Sequence, residues 1–395
     1  MKILYITYEN LYKTAILQAM VVKPLDLISK KYKVDFTITS SVKDFEQDNI
    51  YKDNKKDVEL TTDLNVIEFQ KKLTKKQSIL TFILDILPMI RFSIKEAKQS
   101  DIIHCRSYGG AMIGLIASVI SGTPFIFDMR GVLPEETIDV GKLTKKSLKY
   151  KLLKIVEWIL IKKSAYVFTV SNKFNEYIKG TFNKKNSINI NNPTDFNDYY
   201  KNEKKDNKVN FIYSGSMQVW HLPELTIKYY AKLQEIYAGK IFLYFCTNDP
   251  DRAENIFLKY NIPKNSFEIN TVPFKEMPSY YAKSDIAFCL IKESFSKSVC
   301  FPVKFTEYIA SNLFVLGNEG IGDIQQIIEQ NNCGIVFNDV NDIETNIQKL
   351  TPVIDKMLNK EYTSYDKNNL SYLDWNNEGI DAIYLVYKKI LGENI

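Results

Sequence analysis

Short apolar segments alternate with longer helical patterns along this chain, and this alternation restricts the possible folds more than any other feature. The first segment, residues 2–7, has the length and composition of a strand buried in the centre of a parallel sheet. Similar segments recur to residues 334–337, each followed by a loop and a helical pattern. This repetition predicts an α/β fold with doubly wound parallel sheets.

At 395 residues the chain is too long for one typical core, so two domains are expected. Residues 186–208 are rich in Asn, Asp and Lys and separate two series of strands and helices, which is typical of a linker. We therefore predict two Rossmann-like domains, residues 1–190 and 208–376, that face a central cleft. The C-terminal helix, residues 377–395, is expected to pack back on the first domain.

Composition excludes several classes of protein. The net charge of +5, from 52 basic and 47 acidic side chains, is too small and too diffuse to indicate nucleic-acid binding. Five scattered cysteines without a CxxC motif indicate reduced thiols in a cytoplasmic protein, and two histidines exclude a multi-His metal site. The N-terminus is typical of a first strand, not of a signal peptide, and no apolar segment is long enough to span a bilayer.

Two basic, apolar helical patterns leave the question of membrane contact open. In residues 71–100 an apolar helix follows four lysines, Lys71, Lys72, Lys75 and Lys76, and residues 142–163 mix lysines with apolar residues that include Trp158. Peripheral proteins bind anionic lipid at the inner membrane face with such helices. Helices packed on a sheet with snorkelling lysines are the alternative, which we favour.

The predicted strands of the first domain end in polar residues. Residues 101–105 form a strand, followed by a Gly-bearing loop at 106–110 and a helix at 111–121, and the strand 125–128 ends in Asp128-Met129-Arg130. Ligands of doubly wound sheets bind beyond the carboxyl ends of the strands, so these loops are candidates for a site. A contact between Asp128 and Arg130 that only stabilises the loop is the alternative. Residues 41–62 are predicted to be a surface excursion.

The most informative stretch lies at residues 293–323, which predict a polar loop, a short helix, a buried strand and a Gly-rich turn. Lys304 follows Pro302 in the first helical turn, where a cation opposes the helix dipole unless it meets an anion. Glu307 lies on the same helix face. Together they suit a nucleotide, with phosphate at the lysine and ribose hydroxyls at the carboxylate. An ion pair on a solvated face is the alternative.

Turns at the ends of predicted strands support the nucleotide interpretation. Ser214-Gly215-Ser216 follows one strand, the loop 294–303 leads to Lys304, and the turn 320–323 opens a helix. Backbone amides in such turns bind phosphate. No GxGxxG, P-loop or GxSxG motif competes with this interpretation. The DxD sequence at residues 249–251 is better explained as a helix start than as a metal site, and no metal is expected.

The segment SFSKSVCFPVKFTEYIASNLFVLGNEGIGD resembles the nucleotide-sugar-binding segment of GT-B glycosyltransferases of retaining family 4. The segments PFIFDMRG and AYVFTVS, and YSGS followed by Trp220, agree with this resemblance. It implies the GT-B fold and retaining transfer of a sugar from a nucleotide diphosphate sugar to a glycan or lipid-linked acceptor. Surface polysaccharide or glycolipid biosynthesis is the implied pathway.

The resemblance also implies roles for single residues. Glu307 would bind the ribose, Lys304 and the amides near Gly215 would hold the diphosphate, and Arg130 lies where many members place a His near the reacting sugar. The candidate residues are Lys304, Arg130 and Asp128 for catalysis; Glu307, Lys297, Gly215, Ser216, Phe301, Gly320, Gly322 and Asp323 for the donor; and Arg106, Tyr108 and Gly109 on the acceptor side.

Three departures from the family pattern keep other functions open. Val299 stands where the first of two glutamates is usual, Ser216 replaces a frequent Arg, and residues 8–12 lack the Gly-rich loop. One alternative is a non-catalytic GT-B subunit that binds a nucleotide or a partner. Another is a nucleotide-sugar epimerase or hydrolase.

Overall fold

The computed structural model describes residues 1–43, 47–71, 79–200 and 207–393, without the side chains of residues 15 and 79–84. The chain divides into two compact units. The first unit combines Met1–Pro193 with Trp375–Ile395, and the second is Thr194–Asp374. The first unit is therefore built from two separate pieces of the sequence.

The first unit contains a sheet of seven parallel strands in the order β3-β2-β1-β4-β5-β6-β7. β1 lies in the middle, with Ile3 paired to Phe36 on one side and to Ile102 on the other. These strands are β1 (Lys2–Ile6), β2 (Asp35–Lys43), β3 (Asn65–Lys71), β4 (Ile102–Arg106), β5 (Phe125–Asp128), β6 (Tyr166–Thr169) and β7 (Ser187–Asn189).

The second unit contains a sheet of six parallel strands in the order β10-β9-β8-β11-β12-β13. Every residue of β8, β11 and β12 is buried, as expected for strands covered by helices on both faces. These strands are β8 (Val209–Ser214), β9 (Ile241–Cys246), β10 (Phe267–Asn270), β11 (Ile286–Phe288), β12 (Phe314–Asn318) and β13 (Gly334–Phe337). Both sheets thus have the strand order of a Rossmann fold.

Helices connect the strands of both sheets. Short π-helical segments at Gln18–Val22 and Trp375–Gly379 precede α2 and α16. The α-helices are α1 (Ala15–Leu17), α2 (Lys23–Tyr32), α3 (Asn49–Thr61), α4 (Ile79–Ala97), α5 (Ser107–Ser121), α6 (Leu133–Asp139), α7 (Leu148–Lys163), α8 (Asn172–Phe182), α9 (Pro223–Ile236), α10 (Pro250–Lys259), α11 (Met277–Ala282), α12 (Phe295–Ser298), α13 (Val303–Ala310), α14 (Ile324–Asn331), α15 (Ile343–Leu358) and α16 (Ile380–Leu391).

The C-terminal segment packs on the first unit through aromatic side chains. The ring of Tyr384 stacks on Tyr32 with centroids 3.8 Å apart. The Trp375 indole donates a hydrogen bond to the carbonyl of Ala19 at 3.2 Å. These contacts fix α16 against the N-terminal helices although the two segments are far apart in sequence.

Two sequence predictions about element boundaries are wrong, and the predicted surface excursion contains a helix. The predicted loop 106–110 is helical from Ser107, because Gly110 allows α5 to start directly against β1: a Cβ there would lie 2.4 Å from the Ile6 carbonyl oxygen. Part of the predicted surface excursion forms α3, whose N-cap Asp48 accepts a hydrogen bond from the Tyr51 amide. The predicted helix 142–163 begins only at Leu148.

The structure describes only part of the lysine-rich segment that was predicted to precede α4. Lys71 ends β3, whereas Lys72, Lys75 and Lys76 lie outside the described residues, so this prediction stays open. Within the described part of the chain, no helix combines the length and the apolarity needed to cross a membrane.

We predict opposite effects on stability for two glycine substitutions in helices of the first unit. In Gly114→Ala the new Cβ would lie 2.1 Å from the buried Cys105 sulfur, so overpacking should exceed the gain in helix propensity and cost about 1–2 kcal/mol net. In the control Gly180→Ala, whose Cβ would have no neighbour within 4 Å, the unfolding free energy should rise by about 0.5–1 kcal/mol. Denaturant unfolding measures both, and equal effects would contradict the packing argument.

Candidate functional site

Each sheet reverses its strand order next to its first strand, at β1/β4 in the first unit and at β8/β11 in the second. The crevice beyond the carboxyl ends of the strands at such a point is where doubly wound folds bind ligands. In the second unit the turn Ser214-Gly215-Ser216 follows β8 at this position. The candidate site is built around this turn.

Tyr213 stabilises the turn through its ring and its hydroxyl group. Its buried ring stacks on Phe245, with centroids 4.3 Å apart, and its hydroxyl donates to the Ser216 carbonyl at 2.9 Å. The Gly215 amide donates to the Cys246 carbonyl at 3.1 Å. The Gly215 amide itself is therefore occupied, and the amides that remain for a phosphate begin at Ser216.

Lys304 is buried in the second position of α13, with only 8% of its surface exposed. Its ammonium lies 5.2 Å from the centre of the Tyr213 ring and has no hydrogen-bond partner among the described residues. Burial lowers the pKa of this amine below its ordinary value. The alternative interpretation, an ion pair with Glu307 on a solvated face, is wrong because both side chains are buried.

His221 is a neighbouring group that the sequence analysis did not identify. It ends a 3₁₀ turn, Val219–His221, and its ring lies 3.6 Å from where a Cβ on Gly215 would be. Its Nδ1 is buried and has no hydrogen-bond partner within the described part of the chain. Burial, together with the positive charges of Lys304 and Lys297, lowers the pKa of His221 to about 3. The signal in the sequence was its position directly after Trp220.

Lys297 lies beside the same turn. Its ammonium sits 4.3 Å from the centre of the Trp220 ring, and its backbone carbonyl accepts from the Gly322 amide at 3.1 Å. The carbonyl of Trp220 in turn accepts from the Lys292 amide at 2.9 Å. The segment before α13 and the Gly-rich turn after β12 are thereby tied to the segment that carries His221.

Other predicted donor residues contribute to packing. Phe301 is buried and meets Phe305 edge to face, with centroids 5.7 Å apart. Asp323 is buried directly before α14. Gly320 has a φ of 77°, which glycine adopts without strain, and a Cβ there would lie 3.3 Å from the Glu293 side chain. These residues shape the loops around Lys304 and Lys297.

Glu307 is buried, and a chain of hydroxyl groups ends at its carboxylate. The Tyr281 hydroxyl lies 2.7 Å from Glu307 Oε2 and 3.1 Å from the Ser214 hydroxyl, which lies 2.9 Å from that of Tyr308. Because a hydroxyl carries one proton, Tyr281 donates it to the carboxylate and accepts from Ser214. Burial raises the pKa of Glu307, while Tyr281 and Lys304 oppose this shift.

The second unit thus presents separate cationic and acceptor groups at one end of its sheet. Lys304 and Lys297, with the imidazole of His221, lie on one side of the turn, and α13 begins there without a side-chain cap on its first amides. The Glu307 carboxylate lies one helical turn further along α13. Such a set suits an anion that is joined to hydroxyl groups.

In the first unit, the buried Asp128 forms an ion pair with the partly exposed Arg130. Arg130 Nη2 lies 2.7 Å from Asp128 Oδ2, and its Nη1 donates to the Asn192 side chain at 3.0 Å. Although burial opposes ionisation, Arg130 and His104 lower the pKa of Asp128 to about 2. Asp128 therefore stays ionised and fixes the guanidinium of Arg130.

The predicted acceptor-side residues differ in their surroundings. Arg106 is the last residue of β4 and is buried; its Nε donates to Glu9 at 3.2 Å, and its Nη1 has no hydrogen-bond partner among the residues described. The buried Tyr108 hydroxyl donates to Glu157 of α7. A Cβ on Gly109 would lie 3.0 Å from the Cβ of Tyr8. Arg106 thus keeps a buried side-chain donor that no group in the described part of the chain satisfies.

The DxD sequence has the predicted structural role. Asp249 is the N-cap of α10 and accepts a hydrogen bond from the Arg252 amide at 3.3 Å, and Asp251 is an acid in the first turn. Among the described residues, no three His, Cys, Asp or Glu side chains are grouped to hold a metal ion. Metal independence itself stays a prediction.

Comparison with known proteins agrees with this architecture. Residues 195–369, somewhat less than half of the chain, match the family described as glycosyl transferases group 1. Among solved structures, sucrose-phosphate synthase from Thermosynechococcus elongatus superimposes with a TM-score of 0.70 at 11% identity, covering 99% of both chains. The fold is GT-B. No curated protein matches the sequence.

Two further solved structures share this fold. HepE from Anabaena, in complex with UDP and glucose, has a TM-score of 0.67 at 13% identity over 100% of both chains. A protein from Listeria monocytogenes that has been assigned, without proof, as a UDP-N-acetylglucosamine 2-epimerase has a TM-score of 0.61 at 9% identity. It covers 100% of this chain and 97% of its own. These neighbours agree with the GT-B fold of this chain.

We predict that Tyr281→Phe destabilises the second unit by about 1–3 kcal/mol at pH 7, because the buried Glu307 carboxylate loses its donor. The substitution raises the pKa of Glu307 further. The folded variant therefore takes up a proton as the pH falls, and the cost should be smaller at pH 5 than at pH 7.

The matched control is Tyr230→Phe in the same unit, whose buried hydroxyl donates to the uncharged carbonyl of Ser266. Its cost should not change between these two pH values. Denaturant unfolding of both variants provides the comparison, and a pH-independent cost for Tyr281→Phe would contradict the assigned hydrogen bond.

Proposed function

We propose that this chain is a glycosyltransferase that moves a sugar from a nucleotide diphosphate sugar to an acceptor. The observation that carries the proposal is the buried Lys304 ammonium, which lacks a partner among the described residues beside the uncapped start of α13. A buried charge costs free energy unless an anion compensates it. The family match over residues 195–369 and the GT-B fold support the same activity.

We place the diphosphate between Lys304, Lys297 and His221. The two lysines supply charge, and a diphosphate would favour protonation of the imidazole, which is neutral at pH 7 because burial and the lysines hold its pKa at about 3. The amides from Ser216 onward and those at the start of α13 would donate to phosphate oxygens.

The ribose is placed at Glu307. The resemblance implies that its carboxylate would accept hydrogen bonds from ribose hydroxyl groups. Tyr281 donates to Oε2 of this carboxylate and opposes the rise in its pKa that burial causes. This arrangement separates the roles of two residues on α13: Lys304 acts on the charge of the diphosphate and Glu307 acts on the sugar of the nucleoside.

For the transfer step, we propose departure of the nucleoside diphosphate with its charge stabilised by Lys304 and the start of α13. This would make the reaction independent of a metal ion. We also propose retention of configuration, which the resemblance of residues 294–323 to family 4 implies. Val299, which replaces a glutamate of that family, is buried, so the donor sugar must be held by other groups.

Acceptor recognition is assigned to the first unit. Arg130 would contact the acceptor, because Asp128 and Asn192 hold its guanidinium while part of it stays accessible. Asp128 is a positioning residue in this scheme, since it is enclosed and already ionised. We propose a glycan or lipid-linked acceptor and a role in surface polysaccharide or glycolipid biosynthesis at the cytoplasmic face of the membrane.

A screen of UDP-, GDP-, ADP- and TDP-sugars, with and without EDTA, tests the activity through slow hydrolysis of the donor. With the active donor, Lys304→Ala should lower kcat about 10²–10³-fold, because a cation at the leaving group is lost. Glu307→Ala should mainly weaken donor binding, by about ten- to a hundredfold. The control Lys292→Ala removes an exposed lysine of the same segment and should behave like wild type.

Three outcomes would contradict the proposal in different ways. Thermal stabilisation by a nucleoside diphosphate without turnover of any donor would favour a non-catalytic binding subunit. An epimerised nucleotide sugar would favour the epimerase alternative. Activity of Lys304→Ala and Glu307→Ala equal to wild type would overturn the site assignment while leaving the activity in place.

Donor binding should weaken as the pH rises. Because Lys304 loses its proton at a lower pH than an ordinary lysine, this weakening should also begin at a lower pH. Burial lowers the pKa of Lys304 in the free protein, and a bound diphosphate needs the ammonium, so affinity falls as the pH rises through that lowered pKa. Calorimetric titration with the active donor between pH 7 and 10 measures this. Lys304→Ala should bind more weakly at pH 7 and lose the alkaline dependence; an unchanged pH profile would contradict this.

A further inference from the structure

Two neighbouring helices of the first unit expose large apolar side chains to solvent. Each helix contributes a row of four residues, with exposed fractions between 37% and 75%. The rows are Met112, Ile116, Val119 and Ile120 on α5, and Leu148, Leu152, Ile155 and Trp158 on α7. We refer to these eight residues as the α5–α7 surface.

The composition of α5 is unusual for a helix at a protein surface. Its inner face packs on the sheet through small and apolar residues such as Ala111 and Ile113, and its sequence, SYGGAMIGLIASVIS, contains no charged residue. A surface helix of a globular protein normally carries polar residues on its outer face. The exposed positions at 112, 116, 119 and 120 are instead all apolar and share one side of the helix.

The two rows lie on helices that pack against each other. The buried hydroxyl of Tyr108 on α5 donates to the buried carboxylate of Glu157 on α7. Single exposed apolar residues need no explanation, but eight on adjacent helices form a patch of the kind that marks an interaction site.

The chemistry around the patch identifies its partner. Residues 142–163 contain seven exposed lysines, and their one carboxylate, Glu157, is fully buried and paired with Lys154. The exposed lysines are Lys142, Lys145, Lys146, Lys149, Lys151, Lys162 and Lys163. The apolar row of α7 is thus accompanied by a concentration of positive charge without an exposed negative charge.

We propose that the α5–α7 surface docks this protein on an anionic lipid bilayer. The apolar rows would enter the boundary between head groups and acyl chains, and the lysines would lie among anionic head groups. A second copy of the chain fits less well, because apposed α7 helices would bring like charges together. This inference goes beyond the proposed transfer reaction, since docking requires no donor or acceptor.

Flotation with lipid vesicles tests the proposal on the full-length chain. The protein should float with vesicles of phosphatidylcholine and phosphatidylglycerol, bind weakly to phosphatidylcholine alone, and be released by salt. Reversing lysine charges with Lys149→Glu and Lys151→Glu should lower binding by at least about fivefold per residue. Failure to float with the anionic vesicles would overturn the proposal.

The apolar rows are tested with Val119→Glu and Leu152→Glu, which should each reduce flotation strongly. The matched control is Leu60→Glu on α3 of the same unit, because Leu60 is 74% exposed and Val119 is 75% exposed. The control should float like wild type. Equal losses in all three variants would overturn the assignment of this surface.

The fluorescence of Trp158 reports whether the α5–α7 surface enters the acyl-chain region of the bilayer. It belongs to the α5–α7 surface and is 53% exposed, whereas Trp375 is buried. Phosphatidylglycerol vesicles with brominated acyl chains should quench tryptophan emission, and Trp158→Phe should remove most of the quenching. Binding without quenching, or a dimer in light scattering that Val119→Glu dissociates, would contradict the lipid proposal and favour a second copy as the partner.

Discussion

Removing an ammonium group from water costs free energy that the protein must compensate elsewhere. In the second unit Lys304 bears this cost: its amine is enclosed, meets the ring of Tyr213, and lacks a hydrogen-bond partner in the described part of the chain. Its neighbour His221 also has a buried nitrogen without such a partner. In the proposed function, the diphosphate would supply the missing partner to both groups, which the packing of Tyr213 on Phe245 helps to enclose.

The parallel sheets explain why these groups meet. Both sheets have the same strand order, and in each the loops beyond the carboxyl ends converge next to the first strand. In the second unit this brings the turn after β8 against α13, where Tyr308 and Ser214 join through their hydroxyls. In the first unit the same position holds Arg106, Asp128 and Arg130, whose charges are largely balanced within the unit.

The first unit combines this enclosed polar network with an outer face of the opposite character. α5 contributes to both, since its first turn carries Tyr108, which is bonded to Glu157, and its outer side carries the apolar row that includes Val119. The first turn of α5 therefore contacts a buried charged group, whereas the later turns of the helix expose apolar side chains to solvent. Transfer chemistry and membrane docking would therefore depend on separate groups of residues.

The sequence alone determined the class of the fold and the outlines of many elements, because apolar spacing and turn residues are local properties. The observed bounds of β5 (Phe125–Asp128) and β13 (Gly334–Phe337) are the predicted ones, and the sequence also singled out Lys304 and Glu307. The start of α5 at Ser107 was missed because it depends on close contact with β1. Only the tertiary structure decided that Lys304 and Glu307 are buried apart from solvent and that His221 joins them, since burial and the pKa shifts it causes arise from residues distant in sequence.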